Sequence, residues 1–175
     1  MERTLILLKP DTIQRGLIGE VTVRLESRGL KIVALKMMTV NDDLANRHYK
    51  DHIGKPFFSG LVNFITSGPI VAMVLEGESA VEITRNTIGS TNPKEATMGT
   101  IRGDLGMNIG QNLIHASDSL ITSEREIISD LDNLENHLFQ SLDSSSANNI
   151  SLEDIFEDSW LSSIKTEYSL DSLIS

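Results

Sequence analysis

A chain of 175 residues, with 39% hydrophobic and 23% charged content, suits one globular domain with room for an appendage. It contains no cysteine, which excludes disulfides, thiolate metal sites and a cysteine nucleophile. The net charge of −10 is unevenly placed: residues 127–175 hold ten acids and one base, leaving fifteen acids and fourteen bases before them. A tail so acidic is not expected to bind nucleic acid, and nothing in that balance argues against a phosphate site in the body.

Residues 3–8 form an apolar run ended by Lys9-Pro10-Asp11, which predicts a buried strand leading into a loop. The run is too short for a signal-peptide core or a membrane span, so a cytoplasmic, membrane-free protein is expected. Ile18, Val21 and Leu25 recur at helical spacing and Gly29 is a stop. Leu30 to Val40 reads as a second strand, and Asn41-Asp42-Asp43 caps a helix running to about Asp51. A further helix spans Phe57 to Thr66, Ile70 to Leu75 a third strand, and Glu78 to Ile88 a helix closed by Gly89. Ser90 to Gly110 is irregular, and a compact domain rarely keeps so long a loop unless it serves a site. Leu113-Ile114 predicts a short fourth strand, followed by a helix from about Ser123.

This order suggests an α+β fold, a ferredoxin-like βαββαβ antiparallel sheet with helices against one face. The domain is expected to span 1–142, with the leucine stripe Ile127, Leu131, Leu134, Leu138 and Leu142 extending its last helix. Residues 143–175 read as an acidic, largely disordered tail: a polar linker at 144–149, then an acidic amphipathic segment around Phe156 and Trp160. That segment fits either a docking peptide or a solubilising end.

His115 follows the apolar pair Leu113-Ile114 and precedes Ala116-Ser117-Asp118-Ser119, which places an imidazole at the end of a buried strand. A histidine that accepts a phosphoryl group must be neutral, with one nitrogen free and the proton on the other held by an acceptor. Glu126 can be that acceptor, but Ser123-Glu124-Arg125-Glu126 also fits a capping box that would occupy its carboxylate. Taken alone, His115 reads rather as a satisfied core histidine. Phosphoryl transfer asks for nearby positive charge, and Lys9, Arg85 and Arg102 can supply it, although each alone reads as a solvated surface charge. Phe57 is either a core aromatic or a stacking face for a base.

Lys9-Pro10-Asp11, Thr91-Asn92-Pro93, Gly99-Thr100-Ile101-Arg102-Gly103-Asp104 and Asn112-x-x-His115-x-Ser117-Asp118-Ser119 stand in the order and spacing of the nucleoside diphosphate kinase family. His48-Tyr49, Gly54-Lys55-Pro56-Phe57-Phe58 and Ser67-Gly68-Pro69 fall where that family has similar segments, so the chain resembles it over residues 2 to about 127. The resemblance implies transfer of the γ-phosphate of ATP to nucleoside diphosphates by a ping-pong mechanism. His115 would be phosphorylated on Nδ1 while Glu126 holds Nε2–H. Arg85, Thr91 and Arg102 would grip phosphates, Lys9 and Asn112 would contact the sugar, and Tyr49 and Ser117 would line the histidine pocket. Phe57 would stack on the base beside Leu61 and Ile109. Mg²⁺ would be bound mainly through the nucleotide phosphates, with no protein metal site. A homo-oligomer, tetramer or hexamer, is also implied. Ala116 stands where the family usually has Gly, Thr12 where Gly or Ala is common, and Met98 replaces a frequent proline; none removes a reacting group. The opposing reading is a regulatory homologue that has lost turnover, which usually shows as a missing nucleophile or cation; all are present here.

Overall fold

The computed structural model describes residues 1–127; the expected leucine stripe beyond Ile127, the linker, the acidic segment and the 142/143 boundary lie outside the described residues. Strands β1 (Glu2–Leu8), β2 (Lys31–Thr39), β3 (Pro69–Gly77) and β4 (Ile114–Ala116) form one antiparallel sheet in the order β2-β3-β1-β4. Between them run α1 (Pro10–Gln14), α2 (Ile18–Glu26), α3 (Asp42–His48), α4 (Phe58–Ile65), α5 (Ala80–Ile88) and α6 (Ile101–Leu105). Residues 120–127 are helical. The chain skips β3 in passing from β1 to β2 and skips β1 in passing from β3 to β4, the pair of split crossovers that defines the ferredoxin-like arrangement.

Side chains alternate across a strand, so the sheet has two distinct faces. Ile6, Leu8, Val71, Met73, Leu75, Ile114 and Ala116 project to one and pack with Val21 and Leu25 of α2 and Ala80 and Ile88 of α5. Leu5, Leu7, Ile70 and Ala72 project to the other, where they border a cavity closed by Leu44, Ala45, His48, Tyr49 and Ile65 from α3 and α4. Helices therefore cover both faces, not one as expected. The two crossover connections supply the first layer, and the α3–α4 insertion between β2 and β3 supplies the second. β1 from Leu5 to Leu8 and β3 from Ile70 to Leu75 are continuously apolar because neither face of those stretches meets water.

Two short helices occupy segments read as loops. Pro10 opens α1, where its fixed φ and missing N–H cost nothing. Thr100 caps α6 by accepting the Gly103 amide at 3.1 Å. Gly103 sits against the Thr97 carbonyl so closely that a Cβ would collide with it. The last helix starts at 120 rather than 123, because Ser119 Oγ accepts the Thr122 amide at 3.1 Å. Ser123 instead donates its hydroxyl to the Arg3 carbonyl at 2.8 Å. Among the described residues no helix is long and apolar enough to cross a membrane.

Candidate active site

In the β1–β4 register His115 lies opposite Leu7, which places the imidazole on the α3–α4 side while Ile114 and Ala116 enter the aliphatic core. Its side chain keeps 27% exposure, so part of the ring is reachable from solvent. Its Nε2 lies 3.3 Å from Glu126 Oε2, and the same oxygen accepts a 2.7 Å bond from the Ser117 hydroxyl. With the helix beginning at 120, Glu126 sits in its second turn, away from the N-terminal amides that a capping box would need. The carboxylate is turned to the histidine instead. Nδ1 is then the ring nitrogen left on the far side from Glu126.

Burial pushes the His115 imidazole below the usual histidine value, a shift opposed by its bond to Glu126 and reinforced by His48 and Lys9. The ring is accordingly neutral at neutral pH, with a lone pair to offer. Burial acts to raise the Glu126 pKa, but the bond and charge of His115, with Ser117 added, outweigh it and hold the carboxyl below the usual range. His48 meets the His115 ring edge-on at 4.8 Å and the Tyr49 ring at the same distance. Tyr49 is buried at the C-terminus of α3, so the pocket wall is aromatic.

Lys9 continues β1 two residues past Leu7, on the His115 face, and its amide bonds the Leu113 carbonyl at 2.8 Å. Its ammonium donates to Asn112 Oδ1 at 2.7 Å, and Asn112 Nδ2 donates to the Thr91 carbonyl at 2.9 Å. Burial, then the nearby Arg102 charge, lower the Lys9 pKa to about 8 despite Asp11. Arg102 is also buried and is tied to three carbonyls: Asn112 at 3.2 Å, Gly89 at 3.0 Å and Ile114 at 2.6 Å. Those bonds use three of the five donors a guanidinium carries and leave two for a ligand. Burial and the Arg85 charge bring its pKa down to about 10, which places the exposed Arg85 of α5 nearby. Among the described residues no carboxylate is directly paired to either buried cation, which leaves an excess of positive potential beside His115.

The turn into β4 depends on residues to which the sequence reading gave no such role. Leu113 adopts a left-handed backbone, φ 72°, a conformation that a side chain with Cβ adopts only under constraint. Asp11 Oδ2 takes its amide at 3.1 Å and the Thr12 hydroxyl bonds its carbonyl at 2.6 Å. Thr12, one of the departures from the family pattern, thus fixes the residue that precedes β4. The sequence signal for this clamp was only the polar pair behind Pro10. The place of His48 against His115 was equally unforeseen, since nothing local ties α3 to β4.

The outer part of the site is more open. Phe57 is 52% exposed at the start of α4, with its ring edge-on to His52 at 5.6 Å and Lys55 Nζ 5.8 Å from its centroid. Ile109 is exposed, Leu61 partly buried, and Thr91 exposed. Phe57 is therefore not a core aromatic.

The model of the nucleoside diphosphate kinase family matches residues 2–134. A nucleoside diphosphate kinase of Archaeoglobus fulgidus is 58% identical over 127 residues, covering 73% of this chain and 84% of that protein. One from Staphylococcus carnosus is 58% identical over 127 residues, covering 73% and 85%. Among solved structures, a halophilic nucleoside diphosphate kinase from Halobacterium salinarum in complex with CDP superposes with a TM-score of 0.71 at 52% identity, covering 73% of this chain and 85% of its own.

Proposed function

The chain belongs to the nucleoside diphosphate kinase family of phosphotransferases, and on that footing we propose that it moves the γ-phosphate of ATP to nucleoside diphosphates through a phosphorylated His115. The observation that carries the mechanism is the partly exposed imidazole held by Glu126 through Nε2, with a flanking pair of buried cations.

In the first half-reaction the Nδ1 lone pair attacks the γ-phosphorus. The Nδ1–P bond forms as the bond from phosphorus to the β,γ-bridging oxygen breaks, and the nucleoside diphosphate leaves with that electron pair. The ring becomes cationic while retaining Nε2–H, and the Glu126 carboxylate, kept ionised and oriented by Ser117, stabilises that charge. In the second half-reaction the terminal oxygen of another nucleoside diphosphate attacks the phosphohistidine, and His115 is restored. Lys9 and Arg102 stabilise charge on the equatorial oxygens, with Arg85 and Thr91 at the rim. Asn112 holds Lys9 in place, and Tyr49 closes the pocket wall.

Exposed Phe57 suits a base that stacks. Stacking is worth about 1–3 kcal/mol per base and every base has a π-face, so broad nucleotide use follows. Mg²⁺ enters with the nucleotide phosphates: the group of three potential ligands found among the described residues offers two imidazoles, whereas Mg²⁺ favours an oxygen shell. Exposed Leu35 and Met37 on edge strand β2 support a homo-oligomer, a tetramer or hexamer, which light scattering would test.

Incubation with γ-labelled ATP should leave acid-labile, base-stable phosphate on the protein, and His115→Ala should abolish both the label and turnover. Substantial turnover by that variant would rule out the histidine mechanism.

A further inference from the structure

His48, His115 and Glu126 come from three separate segments: the end of α3, strand β4 and the helix at 120–127. Each offers one ligand atom, and the three atoms lie within 4.8 Å of one another. We propose that they form a site for a borderline divalent transition metal, with Zn²⁺ as reference ion, and that the bound metal reversibly blocks phosphorylation of His115.

The chemistry favours that class of ion. Two imidazoles and a carboxylate make a three-ligand set that Zn²⁺ takes with a fourth position left to water, and nitrogen donors disfavour Mg²⁺. Tetrahedral Zn²⁺ with bonds of about 2.0–2.1 Å needs donors roughly 3.3 Å apart. His115 Nε2 and Glu126 Oε2 already stand 3.3 Å apart. The His48 ring, partly exposed and resting edge-on against His115, would have to turn to close the remaining gap. Ser117 supplies the outer-sphere bond that orients the ligating carboxylate.

The block follows from where the proton must go. A metal on Nε2 takes that nitrogen's lone pair, so the single proton of the neutral ring moves to Nδ1. The proposed nucleophile is then protonated, and the carboxylate that would have balanced the phosphoimidazolium is on the metal. No electron transfer or other reactant is involved. The blocking half rests on His115 being the nucleophile; the binding half does not.

The test uses the full-length, nucleotide-free protein. Equilibrium dialysis against buffered Zn²⁺ should show a saturable site, weakened in His48→Gln by at least the roughly 10–100-fold that even an outer-sphere partner costs. Co²⁺ should give the intense visible absorption of a tetrahedral site in the wild type. With Mg²⁺ in excess, Zn²⁺ should slow labelling by γ-labelled ATP, and a zinc-selective chelator should restore it. Equal Zn²⁺ affinity in His48→Gln, or no tetrahedral Co²⁺ spectrum in the wild type, overturns the site. Full labelling at saturating Zn²⁺ overturns the block. Should His48→Gln fail to fold, the wild-type Co²⁺ spectrum decides. If no label appears even with chelator, the nucleophile reading fails, while dialysis and Co²⁺ absorption still judge the site.

Discussion

The two ends of the site are built on opposite principles. At the inner end Lys9, Asn112, Arg102, Ser117 and Glu126 are buried and bonded to one another or to carbonyls before any substrate arrives. At the outer end Phe57, Arg85 and Thr91 are exposed, and neither the Phe57 ring nor the Arg85 guanidinium is locked into the core. An electrostatic device must be preorganised to act on a transition state, since reorienting dipoles during reaction would cost part of the gain. A base-binding surface has no such need, because stacking is non-directional and tolerant. The inner end should therefore control kcat and the outer end KM.

The sharpest break is at Lys9. Lys9→Met should lower turnover about 10²–10³-fold, the usual cost of removing one preorganised charge. The same change should leave the melting temperature at pH 7 unaltered or raised. Burial lowers the Lys9 pKa from 10.5 to about 8, so between those values the unfolded chain binds more protons than the folded one. Stability from this group consequently rises as pH climbs from about 8 towards 10.5, and at pH 7 the buried charge opposes folding. In the wild type kcat/KM should fall as pH rises through about 8, because that parameter reports the free enzyme. A large loss of stability in Lys9→Met would show that its bond to Asn112 outweighs its desolvation.

Glu126→Gln comes next, with turnover expected to fall about 10–100-fold while phosphoenzyme still forms. The amide oxygen still accepts Nε2–H but does not balance a cationic ring. A lower melting temperature with an unchanged rate would make Glu126 a structural residue. Phe57→Ala should act on the other end, raising KM roughly tenfold for purine and pyrimidine nucleotides alike with kcat nearly intact, as the loss of one stacking contact implies. If kcat falls instead, the two ends are mechanically coupled. The smallest effect should come from deleting residues 144–175: steady-state kinetics should not change, because every candidate residue lies at or before Glu126 and the family match ends at residue 134.

What the sequence revealed divides along the same line. β1 and β3 were legible as apolar runs, and Asn41 was legible as a cap, its side chain accepting the Leu44 amide at 2.9 Å. Local chemistry sets those features. The second helical layer was missed because the direction an insertion folds is not local, although apolar side chains at both Leu5 and Ile6, and at both Ala72 and Met73, already required cover on each face. α6 was hidden because Gly99 and Gly103 look like loop residues, whereas Gly103 is there to let the Thr97 carbonyl approach. The helix after β4 was placed three residues late because Ser119 and Ser123 are chemically alike, and only the Arg3 carbonyl, far away in sequence, separates their roles. At the site, motif spacing selected His115 and Lys9, but Glu126 kept two readings until the helix start was known. His48, Asp11 and Thr12 stood within or beside the matched segments, but nothing local gave them the contacts they make here.

The three-residue length of β4 has a bearing on which length changes the gene can tolerate. Because Ile114, His115 and Ala116 alternate across the sheet, inserting or deleting one codon between Leu113 and Ala116 would exchange the His115 imidazole with an aliphatic neighbour. The same codon change in 106–111, where residues are mostly exposed and carry turn bonds of their own, can be absorbed before the chain reaches the Asp11–Thr12 clamp on Leu113. Frame-preserving indels should therefore be selected against by parity in the strand, and only by loop geometry a few residues earlier.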